Sequence, residues 1–123
     1  MNLVDSCGWL AFFADTPTAE IFAQPLADTD NLLVPTITLY EVFKVVLRER
    51  GEDAALQAIA LMRQGQIVEL TDSLAIYAAK IALKHKIPMA DSIIYATAQT
   101  HRAVVWTQDR HFHQLPDVRY ITP

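Results

Sequence analysis

The chain has 123 residues, of which 52% are hydrophobic and three are glycine, and its formal net charge at pH 7 is -4. This length fits one domain over residues 1–123, and the hydrophobic share indicates a folded, helix-rich body and excludes a disordered chain. The acidic balance gives no global sign of a polyanionic partner, although a local basic rim is compatible with it.

Cys7 is the only cysteine, which excludes an internal disulfide and a cysteine-based zinc cluster and suits a reducing compartment. The first ten residues have no basic segment and include Asp5, a pattern unlike a secretory signal. Charged residues interrupt the apolar runs well short of the roughly 20 residues that span a bilayer. We therefore expect a cytoplasmic protein with no membrane association.

Short apolar runs alternate along the chain with segments of helical periodicity. The predicted strands are residues 2–4, 32–34, 66–70, 104–106 and 119–121. The predicted helices are residues 6–13, 18–24 with Pro25 as a limit, 38–50 with Gly51 as a stop, 53–63, 72–86 and a last one entered through Pro88. This alternation predicts an α/β protein with a central parallel sheet covered by helices on both faces.

The predicted helix after the second strand has the clearest apolar stripe. Its expected buried residues are Leu39, Val42, Phe43, Val46 and Leu47. Glu41 and Lys44 share another face of the same helix, where they are close enough to pair.

Four acids lie at junctions between predicted elements. Asp5 follows the first strand, Glu41 is in the first turns of the helix after the second strand, and Asp91 opens the last helix. Asp109 follows the fourth strand. Because open parallel sheets bind ligands outside the carboxyl ends of their strands, we expect these acids to converge there.

Converging carboxylates repel one another and raise each other's pKa unless a cation compensates. Mg²⁺ and Mn²⁺ are the natural compensators, since both accept oxygen ligands and keep bound water. Such a site can polarise a phosphodiester and generate hydroxide from water. The acids therefore predict metal-assisted phosphoryl hydrolysis.

Each acid also has a local explanation. Asp5 can cap the following helix, and Glu41 completes a capping box with Thr38. Asp91 is favoured by the dipole of its helix, and Asp109 suits a turn or a cap. Local roles do not account for all four acids falling at compatible junctions.

Four stretches together resemble the PIN-domain ribonucleases, especially the VapC-type toxins of bacterial toxin-antitoxin pairs. They are LVDSCGWL, TITLYEVFKVV, IPMADSIIYATA and VVWTQDRHF, in this order along the chain. The resemblance implies a three-layer α/β/α sandwich and an Mg²⁺- or Mn²⁺-dependent endoribonuclease. It also implies an RNA substrate, a cognate antitoxin protein as partner and a homodimer.

The resemblance assigns roles to individual residues. Asp5, Glu41 and Asp91 would be the core metal-binding acids, and Asp109 the fourth. Ser6 and Thr107 would be supporting hydroxyls that orient the carboxylates and metal-bound water.

Several other side chains are candidates for contacts with a ligand or partner. Lys44 and Arg110 could bind RNA phosphates, although a solvated surface position is the ordinary role of such residues. Trp9, Phe12 and Phe13 could line an apolar groove for an antitoxin segment, or simply belong to the core.

Two motifs suggest chemistry that we do not favour. His111 and His113 alternate in RHFHQ, but alternate positions diverge on a helix and no further zinc ligand is near them in the sequence. Cys7 is more readily explained as a small buried thiol than as a nucleophile.

Other functions remain open at this point. The chain could be a PIN nuclease of RNA processing that is not a toxin, or a non-catalytic module that holds a metal. A phosphohydrolase with Asp5 as nucleophile would want a second acid two residues later, where Cys7 stands instead.

Overall fold

The computed structural model describes residues 1–123. The strands are β1 (Asn2–Val4), β2 (Leu32–Pro35), β3 (Gln66–Val68), β4 (Val104–Thr107) and β5 (Val118–Tyr120). They form one five-stranded sheet in the order β3-β2-β1-β4-β5, and every neighbouring pair is parallel. The predicted parallel sheet is confirmed.

Six helices cover the sheet. They are α1 (Ser6–Phe13), α2 (Ala19–Ala27), α3 (Thr36–Arg50), α4 (Glu52–Met62), α5 (Asp72–His85) and α6 (Met89–Thr100). None of them is both long and apolar enough to span a membrane.

The sheet buries a separate apolar cluster on each face, because successive strand residues point to opposite sides. On β1, Leu3 joins the cluster formed with α5 and α6, whereas Val4 joins the cluster formed with α1 to α4. On β4, Val105 and Trp106 divide in the same way. The result is the three-layer α/β/α sandwich that the resemblance implied.

The centre of the sheet is a switch point, because strands are added first on one side of β1 and then on the other. From β1 the chain moves outward through β2 to β3, and it then returns to add β4 and β5 on the other side of β1. Such a switch point opens a crevice at the carboxyl ends of the central strands. Asp5, at the end of β1, lies beside it.

Some details differ from the sequence prediction. Strand β3 ends at Val68 rather than at residue 70, and α3 begins at Thr36 rather than at residue 38. Helix α2 continues through Pro25 to Ala27, since a proline in the last turn removes a single backbone hydrogen bond and both Pro25 and Leu26 are buried. Of the predicted buried stripe on α3, only Val42 and Val46 are buried, and Leu39 and Phe43 are partly buried. Leu47, the last residue of the stripe, is 42% exposed.

Gly8 provides a test of how tightly α1 packs on β1. A Cβ atom at this position would lie 2.6 Å from Cγ1 of Val4 and 2.7 Å from the ring of Phe22, both fully buried. Gly8→Ala should therefore lower the free energy of unfolding by about 1–3 kcal/mol, despite the better helix propensity of alanine. Chemical denaturation measures this change.

Ala79→Ser, on the exposed face of α5, is the control and should change stability by less than about 0.5 kcal/mol. A Gly8→Ala protein as stable as the unmodified chain would show that α1 can move away from β1.

Candidate metal centre

The carboxylate of Asp5 is held at the junction between β1 and α1. Asp5 caps α1, and its Oδ1 accepts a hydrogen bond from the backbone N–H of Ser6 at 2.7 Å. Its Oδ2 accepts from Oγ1 of Thr107 at 2.9 Å and from Sγ of Cys7 at 3.2 Å. Asp5 therefore has the predicted capping role, and its carboxylate is also buried and held in one orientation.

Thr107 connects the ends of β1 and β4. Its hydroxyl donates to Asp5 and accepts from the backbone N–H of Asp109 at 2.9 Å. Because Thr107 is fully buried, this one hydroxyl fixes both the first acid and the turn that carries the fourth.

Glu41 reaches the same region from α3. Its Oε1 accepts a hydrogen bond of 2.6 Å from Oγ of Ser6. The capping box proposed for it is wrong, because α3 begins at Thr36 and the hydroxyl of Thr38 donates to the carbonyl of Pro35. The proposed ion pair with Lys44 is also absent.

Asp91 and Asp109 meet through a histidine. Nδ1 of His111 lies 2.7 Å from Oδ2 of Asp91 and 3.1 Å from Oδ1 of Asp109. The backbone N–H of His111 also donates to Oδ1 of Asp109 at 2.9 Å. These three residues form a group of potential metal ligands whose donor atoms all lie within 4.8 Å of one another.

The electrostatics of the cluster reflect burial and crowding. Burial raises the pKa of Asp5 from 3.8 to about 6, against hydrogen bonds from Thr107, Cys7 and Ser6 that lower it. Burial also raises the pKa of Asp91 to about 7, with further increases from the charges of Asp109 and Asp5. The charge of Asp109 acts on both Asp5 and Asp91, so these two carboxyl groups lie near Asp109.

The neighbouring groups respond to these carboxylates. The hydrogen bond to Asp91 and the charge of Asp109 raise the pKa of His111. Burial and the charge of Asp5 raise the pKa of the Cys7 thiol to about 12, so this thiol stays protonated as a hydrogen-bond donor. A nucleophilic role for Cys7 has no support in this environment.

The structure brings the four predicted acids into one connected network. Ser6 links Glu41 to the start of α1, Thr107 links Asp5 to the turn at Asp109, and His111 joins Asp109 to Asp91. The donor atoms of Asp91, Asp109 and His111 are spaced closely enough to suit a divalent cation, whereas Asp5 and Glu41 connect to this group through the hydrogen-bond network. A bound cation would also offset the burial that raises the pKa values of Asp5 and Asp91.

The sequence interpretation missed His111 as a member of this pocket. The expected divergence of the two histidines is correct, since His113 packs against the ring of Tyr120 at 4.6 Å. The available signal was the position of His111 two residues after Asp109, in the short turn Arg110–Phe112 that leads away from β4.

The predicted RNA-binding cations are both on the surface. Arg110 is exposed and directly follows Asp109. Lys44 is exposed one turn beyond Glu41 on α3, with its ammonium 5.7 Å from the ring centre of Tyr40. Neither makes an ion pair within the chain.

An apolar groove of about 680 Å³ adjoins the acids. Its lining includes Cys7 and Gln108, which are sequence neighbours of the site, together with Phe13 and Leu61. Of the three aromatic residues proposed for a groove, only Phe13 lines it, whereas Trp9 is buried in the core.

The fold and the acidic pocket define a parallel α/β protein with a site suited to a divalent cation, and comparisons with known proteins identify its family. The PIN domain matches residues 3–118. Ribonuclease VapC4 of Mycobacterium tuberculosis is 32% identical over 97 residues, which cover 72% of this chain and 75% of that protein. This chain therefore belongs to the PIN domain family, and the resemblance to VapC-type ribonucleases is confirmed.

Solved structures show the same fold. A chain of a toxin-antitoxin complex from Klebsiella pneumoniae superposes with a TM-score of 0.83 at 21% identity, covering 98% of this chain and 100% of its own length. VapC20 of Mycobacterium tuberculosis, a sarcin-ricin loop cleaving toxin, gives 0.76 at 19% identity, with 97% and 99% covered.

The raised pKa values predict how the metal-free protein responds to pH. Because the folded-state pKa values of Asp5 and Asp91 exceed the ordinary 3.8, the folded state binds more protons than the unfolded state between about pH 7 and pH 4. These two groups therefore destabilise the fold at pH 8, and their penalty is relieved as the pH falls through this range.

Asp5→Asn preserves the helix cap and removes the buried charge, so in EDTA at pH 8 it should raise the free energy of unfolding by roughly 1–3 kcal/mol. The gain should shrink towards pH 4, as followed by urea denaturation at each pH. Asp53→Asn, at an exposed position, should show no such trend. Equal destabilisation by Asp5→Asn at every pH would contradict the assigned cost of burial.

Proposed function

We propose that this chain is a single PIN domain over residues 1–123 that acts as an Mg²⁺- or Mn²⁺-dependent endoribonuclease. One observation carries the proposal: at the carboxyl ends of the strands the buried carboxyl groups of Asp5 and Asp91 have raised pKa values, and Asp91 lies with Asp109 and His111 in one group of potential metal ligands. The identity with a curated ribonuclease supports RNA as the substrate.

Asp5, Glu41, Asp91 and Asp109 are the residues that would hold the metal. The bound ion would supply Lewis acidity at the phosphodiester and lower the pKa of a coordinated water. Ser6 and Thr107 keep the carboxylates oriented, since their hydroxyls donate to Glu41 and Asp5 at 2.6 Å and 2.9 Å. The chain thereby provides a rigid set of acceptors before substrate arrives.

Arg110 and Lys44 are the residues that we assign to the RNA backbone. Both are exposed, free of ion pairs within the chain, and close in sequence to a proposed metal ligand. Phosphate contacts of this kind position the strand without reading its sequence. Phosphates along the strand would thus lie across the rim of the acidic pocket.

We also propose that the nuclease is the toxin of a cytoplasmic toxin-antitoxin pair and forms a homodimer. Solved toxin-antitoxin complexes share its fold, and the groove lined by Phe13 and Leu61 offers an apolar seat for an antitoxin segment beside the acids. Ile76 and Leu83, both exposed on one face of α5, offer apolar surface to a second copy.

Substitution of the buried acids tests the nuclease directly. Asp5→Asn and Asp91→Asn should each lower Mn²⁺-dependent cleavage of a fluorescent structured RNA by at least roughly 100-fold, because each removes a metal-binding charge. Circular dichroism should show an intact fold, and EDTA should stop cleavage by the unmodified protein.

Asp53→Asn makes the same chemical change at an exposed position and should cleave normally. Undiminished cleavage by both site variants, from preparations in which an inactive control shows no contaminating nuclease, would refute the assignment.

The groove provides a test of the toxin role. Induced expression should arrest growth, and co-expression of a small open reading frame adjoining the gene should relieve the arrest. Leu61→Glu places a charge in the groove and should weaken binding of that product at least tenfold, as measured by calorimetry.

Leu56→Glu is the matched control, since Leu56 is an exposed leucine of the same helix outside the groove lining. It should bind normally. An equal loss in both variants, or no growth arrest on induction, would favour a PIN nuclease with a role other than a toxin.

A further inference from the structure

One imidazole nitrogen lies among the carboxylates. Nδ1 of His111 is 2.7 Å from Oδ2 of Asp91 and 3.1 Å from Oδ1 of Asp109. Adjacent ligands of a six-coordinate ion with bonds of about 2.1 Å lie about 3 Å apart, because they meet at right angles. Both distances from Nδ1 therefore match the spacing of neighbouring ligands of one ion, and all three donor atoms lie within 4.8 Å of one another.

The turn that carries His111 is fixed at both ends. Phe112, the next residue, is fully buried in the core, and the backbone N–H of His111 donates to Oδ1 of Asp109. The imidazole itself is about half exposed, so it can adjust to an ion without disturbing the core. The buried Phe112 and the backbone hydrogen bond to Asp109 therefore hold the imidazole of His111 beside the carboxylates.

The other ring nitrogen is free to carry the proton. The hydrogen-bonding contacts of the His111 ring all involve Nδ1, and none involves Nε2. A neutral imidazole protonated at Nε2 presents its Nδ1 lone pair to the pocket. Ligation by Nδ1 would thus replace its hydrogen bond with Asp91 and leave the ring proton on Nε2.

We propose that His111 is a direct ligand of the divalent ion and makes this site prefer Mn²⁺ to Mg²⁺, an inference that rests on the proposed metal-dependent nuclease site. Imidazole nitrogen binds first-row transition ions well, whereas Mg²⁺ favours oxygen ligands and retains its waters. The carboxylates alone discriminate less between the two ions. His111 is therefore the residue that sets the choice of metal.

Calorimetric titration with MnCl₂ and with MgCl₂, in the absence of RNA, tests this selectivity. His111→Ala should lower Mn²⁺ affinity by roughly tenfold and Mg²⁺ affinity by less than about threefold. His111→Asn, which offers an amide oxygen, should retain Mg²⁺ binding and lose the preference for Mn²⁺. His113→Ala, in the same segment but outside the pocket, should match the unmodified protein.

Pulsed electron paramagnetic resonance of bound Mn²⁺ supplies an independent readout. The unmodified protein and His113→Ala should show the hyperfine coupling of a directly ligated nitrogen, and His111→Ala should lack it. Mn²⁺ bound without nitrogen coupling, or an unchanged ratio of affinities in His111→Ala, would overturn the proposal.

The two proposals fail separately in these experiments. If Mn²⁺ binds with nitrogen coupling but no RNA is cut, the ligand assignment stands and the nuclease is refuted. If RNA is cut and the coupling is absent, the nuclease stands and His111 lies outside the coordination sphere.

Discussion

The burial of the Asp5 carboxylate at the end of the central strand is the constraint on which the rest of the site depends. Removing a carboxylate from water is costly, and the raised pKa of Asp5, about 6, expresses that cost. Three donors, from Ser6, Cys7 and Thr107, offset part of it and fix the direction of the side chain. The Asp5 carboxylate is thus held in one orientation at a site where burial disfavours its negative charge, and a bound cation would offset that cost.

The topology of the sheet explains why residues far apart in sequence share this pocket. Because β1 lies between β2 and β4, the carboxyl ends of the central strands open onto one crevice. Thr107 and Asp109 arrive from β4, and Asp91 arrives from the first turn of α6, which is buried almost throughout its length. The two apolar clusters hold these elements against opposite faces of the sheet. Packing of the core therefore sets the geometry of the acids.

Much of this arrangement could be predicted from the sequence. The parallel sheet and the convergence of Asp5, Asp91 and Asp109 follow from local periodicity combined with a general rule for strand ends. The local role assigned to Glu41 was wrong because the start of α3 depends on Pro35 and the core rather than on Thr38 alone. Packing also left Leu47 exposed, which no periodic pattern in α3 reveals.

His111 shows most clearly what the sequence could not supply. Its membership of the pocket depends on a short turn after β4 whose direction is set by the burial of Phe112. The only signal in the sequence was that His111, and not His113, lies two residues after Asp109. Such contacts arise from tertiary structure, and for this residue they change the donor set from oxygen alone to oxygen with nitrogen.

A crystal structure of the protein grown with Mn²⁺, with anomalous diffraction recorded at the manganese edge, tests the central claim most directly. We expect an anomalous peak within bonding distance of carboxylate oxygens of Asp5 and Asp91, in the pocket that also contains Glu41 and Asp109. A peak elsewhere on the surface, or none in this pocket at saturating Mn²⁺, would contradict the assignment of a metal centre to these acids.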